Sequence, residues 1–137
     1  MYRLLAALLF APFASNAADI TALPATALEW AKTPEGVAFA PINGDRFSEE
    51  YMAMVSLPNG LISPAHTKSA DMFGLVISGA MTHVPANADP SQGTLLTAGA
   101  FYHIPAGLPH VSSCLSAEDC VTFLYQPGAF DFLPVTP

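Results

Sequence analysis

Basic side chains are scarce in this chain. Arg3, Lys32, Arg46 and Lys68 are all it has, against eleven acidic residues, and charged residues make up 11% of the 137 positions. Losing an N-terminal leader that carries Arg3 would leave a formal charge of −8. A surface of that sign repels phosphates and anionic headgroups, which argues against nucleic acid or a membrane surface as partner. Long apolar runs are missing too. The longest, Leu4 to Ala14, has eleven residues, well short of the ~20 a helix needs to span a bilayer. No stretch repeats at a helical period over any length, no internal repeat is visible, and no linker divides the chain. A second domain is not expected.

The short apolar run has a better reading. Arg3 precedes it, and Ser15-Asn16-Ala17 ends it with small residues where a signal peptidase reads. Residues 1–17 therefore read as a secretory signal peptide. Cleavage is expected after Ala17, with Ala18 the next choice, and the protein should be periplasmic or secreted. The two cysteines, Cys114 and Cys120, then read as one disulfide. They flank the polar turn Leu115–Asp119, so a hairpin would set the thiols opposite each other across a ladder, with two free thiols as the alternative.

Hydrophobic residues make up 52% of the chain, punctuated by thirteen prolines and nine glycines. That combination suits an all-β domain with many turns. After an N-terminal arm (18–36) carrying Trp30, with Ala25 to Lys32 a short helix or irregular, strand-like runs follow. They cover 37–42, 51–57, 73–78, 80–84, 94–97, 101–104, 110–113, 121–125 and 130–135. Short strands at this spacing mean a sandwich or barrel over 37–137. Phe73 to Ile77 is nearly all apolar, as for a strand buried on both faces. Met54, Met72 and Met81 read as core fillers. Phe73, Phe101, Tyr102 and Phe123 read as barrel packing.

Two segments are more specific. In the first, Gly60 is followed by His66, Lys68, Met72 and Gly79; in the second, Gly99 by Pro105, Gly107, His110 and Cys114. The order and spacing of Gly60, His66 and Gly79, then Gly99, Pro105, Gly107 and His110, resemble the paired motifs of the cupin superfamily. The ending Phe132–Val135 and the short Asn87–Pro90 loop look most like an uncharacterised group of small cupins. The resemblance implies a double-stranded β-helix (a jelly-roll barrel) over about 37–135, with His66 and His110 projecting into its open end. It also implies pairing of two copies through their sheets, so a homodimer is expected, to which the Trp30 arm could contribute.

A complete cupin metal site has three histidines and a glutamate. Here Lys68 stands for the second histidine, Met72 for the glutamate, and Cys114 for the motif-two asparagine. A protonated lysine repels a divalent cation, and Met is a soft ligand. Asp71 sits next to Met72, but adjacent strand residues face opposite sides. The same rule sets His103 against Tyr102 and Ile104; Tyr102 and Ile104 are expected inside. His83 is the remaining histidine near the motifs.

Two functional readings follow. In the first, the barrel holds a small, carboxylated, apolar or aromatic molecule among His66, Lys68, Met72, Tyr102 and His110. Burial would lower the Lys68 pKa, so Lys68 is a cation for the ligand or a candidate base or nucleophile; on an outer loop it would be neither. In the second, His66 and His110 bind a divalent transition metal, weakly or with a non-standard third donor, in an oxygenase or isomerase. A vestigial pocket in a structural dimer is a third.

Overall fold

The computed structural model describes residues 18–136, so the signal-peptide reading of 1–17 lies outside the described residues. The described residues form ten strands, the first of them within residues 18–36. They are β1 (Ala31–Lys32), β2 (Ala38–Gly44), β3 (Tyr51–Leu57), β4 (His66–Thr67), β5 (Met72–Ser78), β6 (Met81–Pro85), β7 (Phe101–Ile104), β8 (His110–Cys114), β9 (Cys120–Gln126) and β10 (Leu133–Pro134). They form two antiparallel sheets: β1-β2-β3-β9-β5-β7 and β10-β4-β8-β6.

Alternation in the sequence makes the larger sheet one-sided. In β3, Tyr51, Ala53, Val55 and Leu57 are buried while the residues between them are only half-buried, and β9 repeats the pattern. These side chains join Phe39, Met72, Val76, Met81, Tyr102 and Ile104 in the core between the sheets.

Strand β5 departs from the expectation of burial on both faces. Leu75 and Ile77 are 40% and 45% exposed, and Phe101 beside them on β7 is 63% exposed. The cause is register. β5 pairs with β9 and β7 on its two edges, so its alternate residues must leave the core, and nothing among the described residues covers that face. Phe73 and Phe123 lie on the same outer side, as does Met54 in β3. Of the four aromatics expected to pack the barrel, Tyr102 alone does so from inside. Its ring lies over Gly74, its cross-strand partner, and a Cβ at Gly74 would collide with it.

Two expected runs shrink. Residues 94–97 yield one bridge, Leu96 with Met81. Residues 130–135 yield only β10, because Phe130 and Phe132 line the interior instead. The 25–32 segment resolves into a 3-10 turn at Ala25–Ala27 and strand β1, with Trp30 42% exposed.

Cys114 and Cys120 form the disulfide. It does not cross a hairpin ladder. Cys114 ends β8 in the smaller sheet and Cys120 begins β9 in the larger one, so the bridge ties the two sheets at one end of the barrel. Gly79, between β5 and β6, has φ +81° and lies so close to Cys120 that a Cβ would meet it at 2.8 Å. Glycine is thus required there both by conformation and by space.

Candidate functional site

A cavity of about 380 Å³ lies between the sheets. Its wall on the larger sheet is mainly apolar, built from residues such as Phe39, Val55, Leu57 and Leu124. The opposite wall is different. Strands β4, β8 and β6 and the loop before β4 place Ser63, His66, Ser112 and His83 on it. Lys68 and Met72, which stand where the cupin motif has a histidine and a glutamate, both line the cavity, as does Tyr102.

His66 and His110 are direct partners across β4 and β8, with ring centroids 4.2 Å apart. Each ring reaches back two residues. His66 Nδ1 donates to the Pro64 carbonyl at 2.8 Å and His110 Nδ1 to the Leu108 carbonyl at 2.9 Å. A carbonyl only accepts, so both rings carry their proton on Nδ1 and keep a lone pair on Nε2. His110 was expected to line the cavity and does not; it is buried, and its Nε2 has no partner. In the sequence His83 is only a neighbour of the motifs. It sits on the inner face two residues after Met81, hydrogen-bonds Ser112 Oγ at 2.8 Å and rests against Tyr102 with ring centroids 4.1 Å apart. Period-two alternation from buried Met81 was the available signal.

Burial sets the charge of this wall. It lowers the His66 pKa to about 4, assisted by the nearby His110 and Lys68 and opposed by the bond to Pro64. It lowers His83 to about 3, with His110 and His66 adding to the effect, and it lowers His110 as well. The imidazoles are neutral at pH 7.

Lys68 is 4% exposed. Its ammonium donates to the Asp131 carbonyl and lies 3.6 Å from the centroid of the Phe130 ring. Burial lowers its pKa to about 8, against the opposing pull of the Asp131 charge. Phe130, Asp131 and Phe132 are site residues that the sequence did not reveal. Phe132 stacks on His66 at 4.1 Å, Asp131 Oδ1 accepts from Ser69 N at 3.0 Å, and Phe130 N donates to the Arg46 carbonyl at 2.7 Å. Asp71 points away from the cavity, to Ala106 N at 2.7 Å and His103 Nε2 at 3.2 Å. Tyr102 and Ile104 point inward and are buried; Tyr102 Oη and Thr122 Oγ1 share a hydrogen bond at 3.1 Å.

A metal fits this donor set poorly. The ammonium of Lys68 and the thioether of Met72 replace an imidazole and a carboxylate. Among the described residues no group of three His, Cys, Asp or Glu side chains is close enough together to hold an ion. Of the four motif positions only His66 and His110 keep an imidazole, and His110 does not line the cavity.

The family described as "Domain of unknown function (DUF4437)" matches residues 41–136. The chain belongs to this family. No curated protein matches the sequence of this DUF4437 member. Its fold is that of the RmlC-like cupins. A protein of unknown function with a cupin-like fold from Ralstonia eutropha JMP134 superposes with a TM-score of 0.67 at 20% identity, over 83% of this chain and 76% of that one. The polyketide cyclase RemF from Streptomyces resistomycificus gives 0.66 at 15% identity over 87% of each chain. KdgF from a Halomonas species gives 0.62 at 17%, over 78% of this chain and 94% of its own. These likenesses establish the double-stranded β-helix and leave the chemistry to this chain's own residues.

Proposed function

We propose that this DUF4437 cupin is an exported binding protein for a small apolar carboxylate, held in the barrel with its anionic end on Lys68. The observation that carries the reading is the ammonium itself. A charged group buried to 4% exposure costs several kcal/mol of desolvation unless it is well paired. Lys68 has one carbonyl and the rings of Phe130 and Phe132 as partners, which leaves donors for a ligand carboxylate. Met72, Val55 and Leu124 around it suit a hydrocarbon or aromatic body. The disulfide and the leader-like 1–17 segment support an oxidising, exported location.

The ammonium also takes over what a metal would do for an anion. It supplies a fixed positive charge at the place in the motif where a ligating histidine would sit. His66 remains on the cavity as a neutral acceptor.

Isothermal titration with 2-naphthoate and its uncharged amide tests this. The acid should bind more tightly than the amide. Lys68→Met should weaken the acid roughly tenfold or more, the range of a hydrogen bond to a charged group, and leave the amide unchanged. Equal binding of acid and amide by the native protein contradicts the proposal, as does an acid preference that survives Lys68→Met.

A further inference from the structure

The polar wall asks for something that neither a carboxylate nor a hydrocarbon provides. Five polar side chains, Ser63, His66, His83, His110 and Ser112, occupy the inner side of the β4-β8-β6 sheet, where a sealed core would place apolar residues. Their donors are largely used internally. Nδ1 of His66 is committed to Pro64 and Nδ1 of His110 to Leu108. Nε2 of His66 has no hydrogen-bond partner among the described residues, and the ring borders the cavity. The Nε2 atoms of His83 and His110 are buried without a partner, whereas that of His66 stays accessible, so a ligand in the cavity can reach it.

From this geometry we infer that the ligand is two-ended: besides the carboxylate it carries a hydroxyl, which donates to His66 Nε2. The inference rests on the carboxylate reading for one end only. A cationic donor is excluded at this place by Lys68, two residues from His66 and on the same cavity. Ser63 Oγ, which accepts from Ser112 N at 3.0 Å and lies 3.5 Å from His66 Nδ1, sits at the other edge of the ring from Nε2 and takes no part in this bond. A hydroxyl is the simplest neutral donor. The ligand class is a hydroxylated apolar acid. His66 is then a specificity-determining residue, reading a group distinct from the one Lys68 reads.

The test uses matched probes with the full chain. The 3-hydroxy and 6-hydroxy isomers of 2-naphthoate, their methoxy counterparts and the parent acid are titrated calorimetrically. 2-Naphthol and 2-methoxynaphthalene, which lack the carboxylate, are run beside them. We expect at least one hydroxy acid to bind about fivefold more tightly than the parent, the scale of one neutral hydrogen bond, and its methoxy ether to lose that gain. 2-Naphthol should outbind 2-methoxynaphthalene. His66→Phe should erase each preference while keeping affinity for the parent acid. If no hydroxyl probe outbinds its ether, or if the gain persists in His66→Phe, the inference is wrong. The wild-type probe comparison decides even if the variant does not fold. The uncharged pair decides even if the carboxylate reading fails, and an acid preference without a hydroxyl preference would leave Lys68 as the sole polar determinant.

Discussion

Lowering the pH from 7.5 to 5 should strip the barrel of a large part of its stability, and the polar wall explains why. In the unfolded chain a histidine titrates near 6.5, so at pH 5 it is almost fully protonated. In the folded protein burial holds His66 down to about 4 and His83 to about 3, so both stay neutral. The folded state thus binds fewer protons than the unfolded one between those values and 6.5. Stability is present above the unfolded value and is lost as the pH falls through that window. By linkage each ring costs about 2 kcal/mol at pH 5, and His110, lowered in the same direction, adds to the loss. A total near 4 kcal/mol is a large share of the ~5–15 kcal/mol that holds a domain together. For a domain of this size the melting temperature should fall by roughly 10–15 °C. Relief of the net negative charge on acidification works against the effect, so a fall of this size has to come from the histidines. Circular-dichroism melts from pH 8 to 5 provide the assay, with His83→Gln as the control that should flatten the slope. A melting temperature steady to within about 3 °C, or an unchanged slope in His83→Gln, would refute the buried neutral imidazoles.

Other outcomes follow from the same structure. Affinity for 2-naphthoate should fall as the pH rises through about 8, where Lys68 loses its proton; titrations at pH 7 and 9.5 check this, and equal affinities would count against Lys68 as the cation. Replacing Cys114 and Cys120 together by alanine should cost about 2 kcal/mol by loop-closure entropy for so short a loop, read as a lower denaturant midpoint with little change in slope. Leu75, Ile77 and Phe101 form an apolar outer face, and β3, β5, β7 and β9 contain no Asp, Glu, Lys or Arg. In an otherwise acidic protein that face suits a second copy of the chain, so light scattering should give a dimer and Phe101→Glu a monomer; a monomeric native protein would contradict this.

Much of the fold was legible because turn chemistry is local. Gly60, Gly79, Gly99 and Gly107 all have positive φ, and the spacing of such glycines around the two histidines carried the resemblance. β3 and β7 were legible to the residue, since alternation between a core and an outer face leaves a clear period of two. β1 and β4 were not, because two-residue strands are held by their partners and have no pattern of their own. The exposure of Leu75 and Ile77 was not legible for a related reason: apolar residues signal a face without saying whether anything covers it. At the site, Lys68 and Met72 were visible as departures from a motif. What Lys68 touches was not, because Phe130 and Asp131 lie more than sixty residues away, and only the closed barrel brings them to it.

The proposed function has the Lys68 ammonium stand in this barrel where a metal would. Elemental analysis of the purified protein, followed by melting with added Mn(II), Fe(II), Ni(II), Cu(II) or Zn(II), tests it most directly. Far less than one equivalent of any transition metal is expected, with no rise in melting temperature at concentrations that would saturate a real site. Near-stoichiometric metal that disappears in a His66→Ala/His110→Ala variant would contradict it.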